Sequence, residues 1–321
     1  MNTHTHISVK TVRIGLMALL LAILFGGAST FRVQTTSANH PVLVEGNCDS
    51  PVPGTTVLPN AGTCGDYDGD GRIGTAEDTD GADRIFGTLT AALGPGTGAA
   101  AGTGANQNGR ITIVKSGRFA EQLVIGFPVS GIPGQGSMTP GNVTIEAAPG
   151  VEANIDAVLQ GDPAGGNNTR QGQPGIIVNM VDATRVVQLR NLVLRNWTEG
   201  IRHAANGRLL IDKCRIEHNI NHGVRTTEAS LTVITNSQIN GNGYRVGTAS
   251  GTAAPGNGVT AEGASQVRIS DSTIAHNFGT GIANNTGGPG FISVFQTGAF
   301  FNNGGNTSGS IGLNNNNALA Q

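Results

Sequence analysis

Asp66, Asp68 and Asp70 stand at alternate positions just before Gly71, a glycine that permits a sharp turn. Calcium takes several oxygen ligands on a curved backbone, and alternate aspartates on such a turn aim their carboxylates at one centre. Far downstream, Arg195, His218, Gly241 and His276 recur one sequence repeat apart. Arginine on the outside of a stack of strands can grip a carboxylate through forked hydrogen bonds. The same residue types also make up the ordinary solvated exterior of any strand, and the sequence leaves both readings open. Trp197 and Tyr244 are candidate platforms for stacking a sugar ring, and each can equally pack over a turn.

Net charge and composition narrow the classes of function. The chain of 321 residues carries a net charge of -2, which gives no reason to expect nucleic acid as a partner. Aromatic residues at 4%, charged residues at 12% and 50 glycines exclude an ordinary helical or doubly wound domain. The glycines follow no three-residue period, which excludes collagen.

Near the start, Lys10 and Arg13 precede an apolar run from Ile14 to Phe25 and then small residues through Ala28 and Ser29. This is the pattern of a secretory signal peptide over residues 1–28, with no membrane span left after its removal. The expected location is secreted or at the extracellular surface. Cys48 and Cys64 then fall where disulfides persist, and they are expected to pair across a glycine- and proline-rich stretch. Cys214 stands alone within a repeat and reads as a small buried apolar residue. Residues 29–63 read as an extended leader.

The run from Asp66 to Glu77 fits D-x-D-x-D-G-x-I-x-x-x-E throughout and resembles an EF-hand calcium loop. The resemblance implies that Asp66, Asp68, Asp70 and Glu77 ligate through carboxylates, Arg72 through its carbonyl and Gly74 through water. The preceding segment, Leu58 to Gly65, carries proline and glycine where an EF-hand has its entering helix, so only half a hand is present. The implied calcium is structural. After it, Ile85, Leu89 and Leu93 recur at helical spacing with Phe86 alongside, which predicts a short helix in the region 64–93 that caps an open core.

The elements that must position Arg195, His218 and His276 are repeats. Leu209 to Asn219, Thr232 to Asn242 and Val267 to Asn277 each read apolar, apolar, small, isoleucine, asparagine. Asn219 and Asn242 are 23 residues apart, and Gly200 to Gly223 repeats that interval. The longer step from Asn242 to Asn277 holds a Gly-Ala-Pro segment, Arg245 to Asn257, that reads as an extruded loop. Phe291, Val294, Phe295 and Phe300 mark a last coil ending near Asn302. The coil with Val187, Leu189, Leu192 and Leu194 fits best one residue out of step. Short alternating runs separated by turns mean strands, and one such coil cannot bury its own face. Stacked coils would align Ile216, Ile239 and Ile274 in a shared core, and Asn219, Asn242 and Asn277 in a ladder of amides at a turn.

At these residues the chain resembles the right-handed parallel β-helix repeat family, which includes pectate-lyase-like folds and carbohydrate-binding and sugar-hydrolase modules. The resemblance covers about residues 110–306 and implies an all-β solenoid with a short N-terminal capping helix; residues 307–321 read as a disordered tail. Leucine-rich repeats fit the spacing from Ile211 to Asn219 but want leucine where Cys214, Ser237 and Ser272 stand. The catalytic patterns of the β-helix enzymes are missing. Asp212 and Asp271 are out of step, Asn221-His222-Gly223 only approaches a Gly-His-Gly stretch, and there is no Asp-Pro-His. The expectation is therefore a noncatalytic protein that binds a polysaccharide or cell-surface glycan or serves in adhesion or envelope structure. The alternative is a polysaccharide lyase, epimerase or hydrolase using Arg195, His218 and His276.

Overall fold

The computed structural model describes residues 42–45, 84–86, 89–93, 109–126, 141–157, 173–243, 256–286, 291–295, 299–301, 303–309 and 311–313, all within the compact unit Asn39–Gln321. Asp66, Asp68, Asp70, Arg72 and Glu77, Cys48 and Cys64, the signal segment and Tyr244 lie outside the described residues.

The coil that begins at Arg208 shows how the sequence makes the architecture. Arg208–Asp212 is a strand of the first sheet, Arg215–Glu217 of the second and His222–Thr226 of the third, after which Leu231–Thr235 returns to the first. The returning strand pairs parallel with the one it left, Leu209 opposite Thr232 and Ile211 opposite Ile234. Among the described residues, repetition yields one sheet of ten strands and two of seven, all parallel: a β-helix of three-sided coils. Period-2 alternation sets the faces. In Leu231–Thr235, Thr232 and Ile234 are buried while Leu231, Val233 and Thr235 are half-buried.

Stacking aligns like with like. Ile145, Leu189, Ile211, Ile234, Ile269 and Val294 form one inward column, and Ile155, Leu194, Ile216, Ile239 and Ile274 another. All of them are fully buried in one continuous core cluster. Each fully buried side chain of this size contributes roughly 1.5–3 kcal/mol of transfer free energy, so the column of shared contacts dominates the fold's stability.

Several boundaries differ from those read in the sequence. Val42–Glu45, inside the expected leader, is a strand of the first sheet lying between Arg84–Phe86 and Gly109–Lys115. Ile85 and Phe86 therefore belong to a strand, because their backbone pairs with Leu43 and Val44, and the helix is only Leu89–Leu93. Leu89, Ala92 and Leu93 join the core cluster, and the Glu121 carboxylate accepts from the backbone N–H groups of Leu89 at 2.6 Å and Thr90 at 2.8 Å. That carboxylate satisfies two of the donors a helix start leaves unpaired.

At the other end, coils continue into the expected tail. Gly305–Ser308 pairs with Thr280–Asn285, and Ile311–Leu313 with Phe291–Phe295. Phe291 and Phe295 point outward, 39% and 40% exposed, because Ile292 and Val294 hold the inward register. The coil before residue 200 is in step at the strands, Val187 opposite Leu209 and Leu194 opposite Ile216, but it is one residue shorter than the coil after it.

Candidate functional site

In the coils between Val186 and Asn277, two of the three corners are built the same way, from an exposed or half-buried residue in the left-handed region followed by a buried one, and most of these buried residues form a ladder. At the corner between the second and third sheets the left-handed residues are Asn196, His218, Gly241 and His276, with φ of 65°, 55°, 63° and 56°. This column corrects the alignment read in the sequence. Arg195 is not a member; it pairs with Glu217 in the second sheet, and Asn196 takes the place beside His218 because the coil is a residue short.

The buried residues that follow are Trp197, Asn219, Asn242 and Asn277, and the half-buried Asn303 continues their column. Asn219 Nδ2 and backbone N–H both donate to Asn242 Oδ1, at 2.9 and 3.1 Å, and Asn242 does the same to Asn277 at the same distances. Asn277 donates to Asn303, not to Asn302, through its Nδ2 at 2.9 Å and its backbone N–H at 3.0 Å. Each amide also donates back to the carbonyl one coil earlier: Asn219 to Leu194, Asn242 to Ile216, Asn277 to Ile239 and Asn303 to Ile274.

Trp197 is the first rung. Its backbone N–H donates to Asn219 Oδ1 at 3.1 Å, and its indole Nε1 donates to the Ile155 carbonyl at 3.0 Å, the place an asparagine amide fills in later coils. It is fully buried, so of its two readings packing over a turn holds and the sugar-stacking platform does not. The facing glycines leave room for the amides. A Cβ on Gly223 would lie 2.7 Å from the Gly258 carbonyl oxygen and 2.9 Å from Asn242 Nδ2.

His218 and His276 are exposed but not brought together. The rung of Gly241 separates them, and two coil spacings amount to about 10 Å. Arg195 faces a different partner. Its Nε donates to Asp156 Oδ2 at 2.9 Å, Asn196 Nδ2 donates to Asp156 Oδ1 at 2.7 Å, and Arg118 Nε lies 3.2 Å from the same carboxylate.

That pattern of arginines tying down a carboxylate recurs on the outer faces. On the third sheet Glu199, 2% exposed, accepts a fork from Arg202 at 2.7 and 2.9 Å and a further bond from Arg225 at 3.1 Å; Arg225 in turn bonds Glu262 at 2.7 Å. Burial pushes the Glu199 carboxyl upward, but its hydrogen bonds with Arg202 and the charges of Arg202 and Arg225 outweigh it, leaving it below the usual range. His222 sits opposite Glu199, and its Nδ1 accepts from the Asn257 backbone N–H at 3.2 Å. Burial holds its pKa below the ordinary imidazole value. On the first sheet Glu146 is bonded by Arg110, and Arg190 Nε donates to Asp212 Oδ2 at 3.2 Å. Burial raises Asp212 as well, and Asn236, Thr235 and Arg190 together hold it low.

Sequence reading missed Glu199, Glu262, His222 and Asp156 as participants. A signal existed for part of this: Glu199 to His222 and Arg202 to Arg225 repeat the interval of Gly200 to Gly223. Among the described residues no group of three or more His, Cys, Asp or Glu is placed to hold a metal ion.

The corner between the first and second sheets has the left-handed residues Asn191, Lys213, Asn236 and Asp271, with φ of 54°, 54°, 50° and 50°. The buried residues after them include Cys214, Ser237 and Ser272. Cys214 N–H donates to Ser237 Oγ and Ser237 N–H to Ser272 Oγ, both at 3.1 Å. Burial pushes the Cys214 thiol up to about 12, so it is inert. Outside this corner lies an open cleft of about 370 Å³ lined by the turn of Gly150, Val151 and Glu152, and by Lys213, Arg215 and Gln238 among others.

This geometry defines a parallel β-helix solenoid on which Glu146, Asp156, Glu199 and Asp212 are bound into ion pairs with arginines. Residues 174–319, a little under half of the chain, match the family model of the right handed beta helix region. The chain is similar to the solved structure of pectate lyase Pel9A, with a TM-score of 0.40 and 16% identity over 89% of this chain and 80% of that one. No curated protein matches its sequence.

Proposed function

We propose that this chain is an exported, noncatalytic β-helix that presents a long regular face to a polysaccharide or cell-surface glycan, in adhesion or envelope structure. The observation that carries the reading is the pairing of the outer carboxylates. Glu199, Asp156, Glu146 and Asp212 each accept from arginine on the same or a neighbouring coil. General acid–base work needs a group poised to change charge near the working pH, and Glu199 and Asp212 are held below the ordinary carboxylate range. Paired charges stiffen a surface and leave hydrogen-bonding groups fixed in rows, which suits recognition of a repeating polymer. Export rests on Lys10, Arg13 and the Ile14–Phe25 run, and structural calcium on Asp66, Asp68, Asp70, Arg72 and Glu77.

The test is to incubate the full chain with acidic polysaccharides and follow ultraviolet absorbance and reducing ends, alongside retention on a glycan array. Retention without new products is expected. Accumulation of unsaturated or shortened products would replace this reading with that of a lyase or hydrolase. For calcium, titration into chelator-treated protein should raise the melting temperature; an unchanged melt would remove the ion from the description.

A further inference from the structure

The cleft at the corner between the first and second sheets has a structural origin. From Ala147 to Ala153 the chain makes a wide turn through Gly150, with Val151 N–H donating to the Ala148 carbonyl at 3.0 Å and Glu152 N–H to Ser116 Oγ at 2.9 Å. The following coils cross the same corner with tighter turns at Asn191, Lys213 and Asn236. The wide turn therefore stands as a wall, and the next three coils form a step below it.

The groups on that step are mostly donors. The exposed Lys213 makes no ion pair among the described residues, and the exposed side-chain amide of Gln238 makes no hydrogen bond there. Arg215 lies one coil before Gln238 in the same column, held by Glu152 at 3.3 Å and Glu217 at 3.2 Å. Glu152 is exposed, so its grip on Arg215 is one that a competing anion can displace. The asparagines of the step are occupied internally: Asn191 donates to the Ala147 carbonyl and Asn236 to Asp212. What remains outward is an ammonium, a guanidinium and an amide within two adjacent coils, the donor set for a carboxylate or sulfate beside sugar hydroxyls.

We propose that this cleft binds the anionic substituent, carboxylate or sulfate, of an acidic glycan, with Lys213, Arg215 and Gln238 as its donors. The inference rests on the glycan-binding reading and adds to it a place and a charge class. The size suits one or two sugar units rather than a long chain.

The columns themselves supply variants that keep the corner intact. Lys213→Asn installs the residue that Asn191 and Asn236 already use at this φ, and Arg215→Gln installs that of Gln238. Binding of the full chain to polyuronate and to sulfated oligosaccharides is measured by calorimetry, with melting temperature as the fold control. Each variant should weaken binding about tenfold with an unchanged melt. Glu152→Gln, which removes one of the two carboxylates on Arg215, should tighten it severalfold, a sign that loss of structure cannot imitate. Arg268→Gln, on the exposed face of the first sheet, should leave affinity unchanged. Affinity insensitive to Lys213→Asn and Arg215→Gln but lost in Arg268→Gln would overturn the cleft and keep the glycan reading. Wild-type protein that binds no glycan would overturn both, and preference for polyglutamate over polyuronate would overturn the cleft's ligand class.

Discussion

The two laddered corners of the coil start from one backbone device and put it to different use. Both place a residue at positive φ and bury the next one. Between the second and third sheets the buried residue is asparagine with a hydrogen-bonding group on each side, and its rungs repeat without variation from Asn219 to Asn303. Between the first and second sheets it is serine or cysteine, with one hydroxyl or thiol to offer. The first corner is a continuous polar spine that the fold depends on. The second is closed by small groups, and its outward residues vary among asparagine, lysine and aspartate. The outward residues vary at both corners, and the cleft lies over the one whose ladder carries fewer hydrogen bonds.

That contrast breaks or sharpens under substitution. Asn242→Ala should cost the most, about 4 kcal/mol, because it strands the Asn219 N–H and amide and removes the amide's bond to the Ile216 carbonyl. Ser237→Ala, stranding the Cys214 N–H, should cost about 1–2 kcal/mol in the same urea titration. Equal losses would mean that the two corners do equivalent work.

The corner without either ladder supplies the next test. His203 is fully buried there with Nδ1 2.8 Å from Thr232 Oγ1, and burial lowers its pKa to about 4. The unfolded chain takes up a proton near pH 6.5 that the folded chain refuses until about pH 4. Stability is therefore complete above pH 6.5 and falls as pH drops between those values, on the order of 3 kcal/mol in all. His203→Gln should flatten that slope in denaturation curves taken from pH 7 to 4; an unchanged slope would assign it to other groups.

Gly223→Ala should cost about 2 kcal/mol, since its methyl would meet the Gly258 carbonyl and Ile239 at 2.7 Å. Cys214→Ser should move stability by less than about 1 kcal/mol, because a hydroxyl can join the serine column, and the native thiol should resist Ellman's reagent until unfolding.

The solenoid was legible because a stacked fold writes its contacts as a fixed interval, so Ile216, Ile239 and Ile274 announce one column. Interval reading failed where the chain departs from it. Trp197 bears no resemblance to asparagine, yet its indole N–H reaches the same kind of carbonyl, and the residue missing from that coil moved Arg195 out of line with His218. Val42–Glu45 pairs with strands far away in sequence, a relation no local pattern encodes. Of the candidate site, positions at the corners were readable and partners were not. Nothing in the spacing says that Arg195 turns to Asp156, or that Arg225 bridges Glu199 and Glu262.

The chain has one tryptophan, and it occupies the first rung of the amide spine. Its indole is sealed from water, so emission should be shifted to short wavelength while the spine is shut and move to the red when that rung opens. The molecule thus carries a built-in optical probe at one end of its asparagine ladder, and fluorescence alone can time the unzipping of the coils without any label.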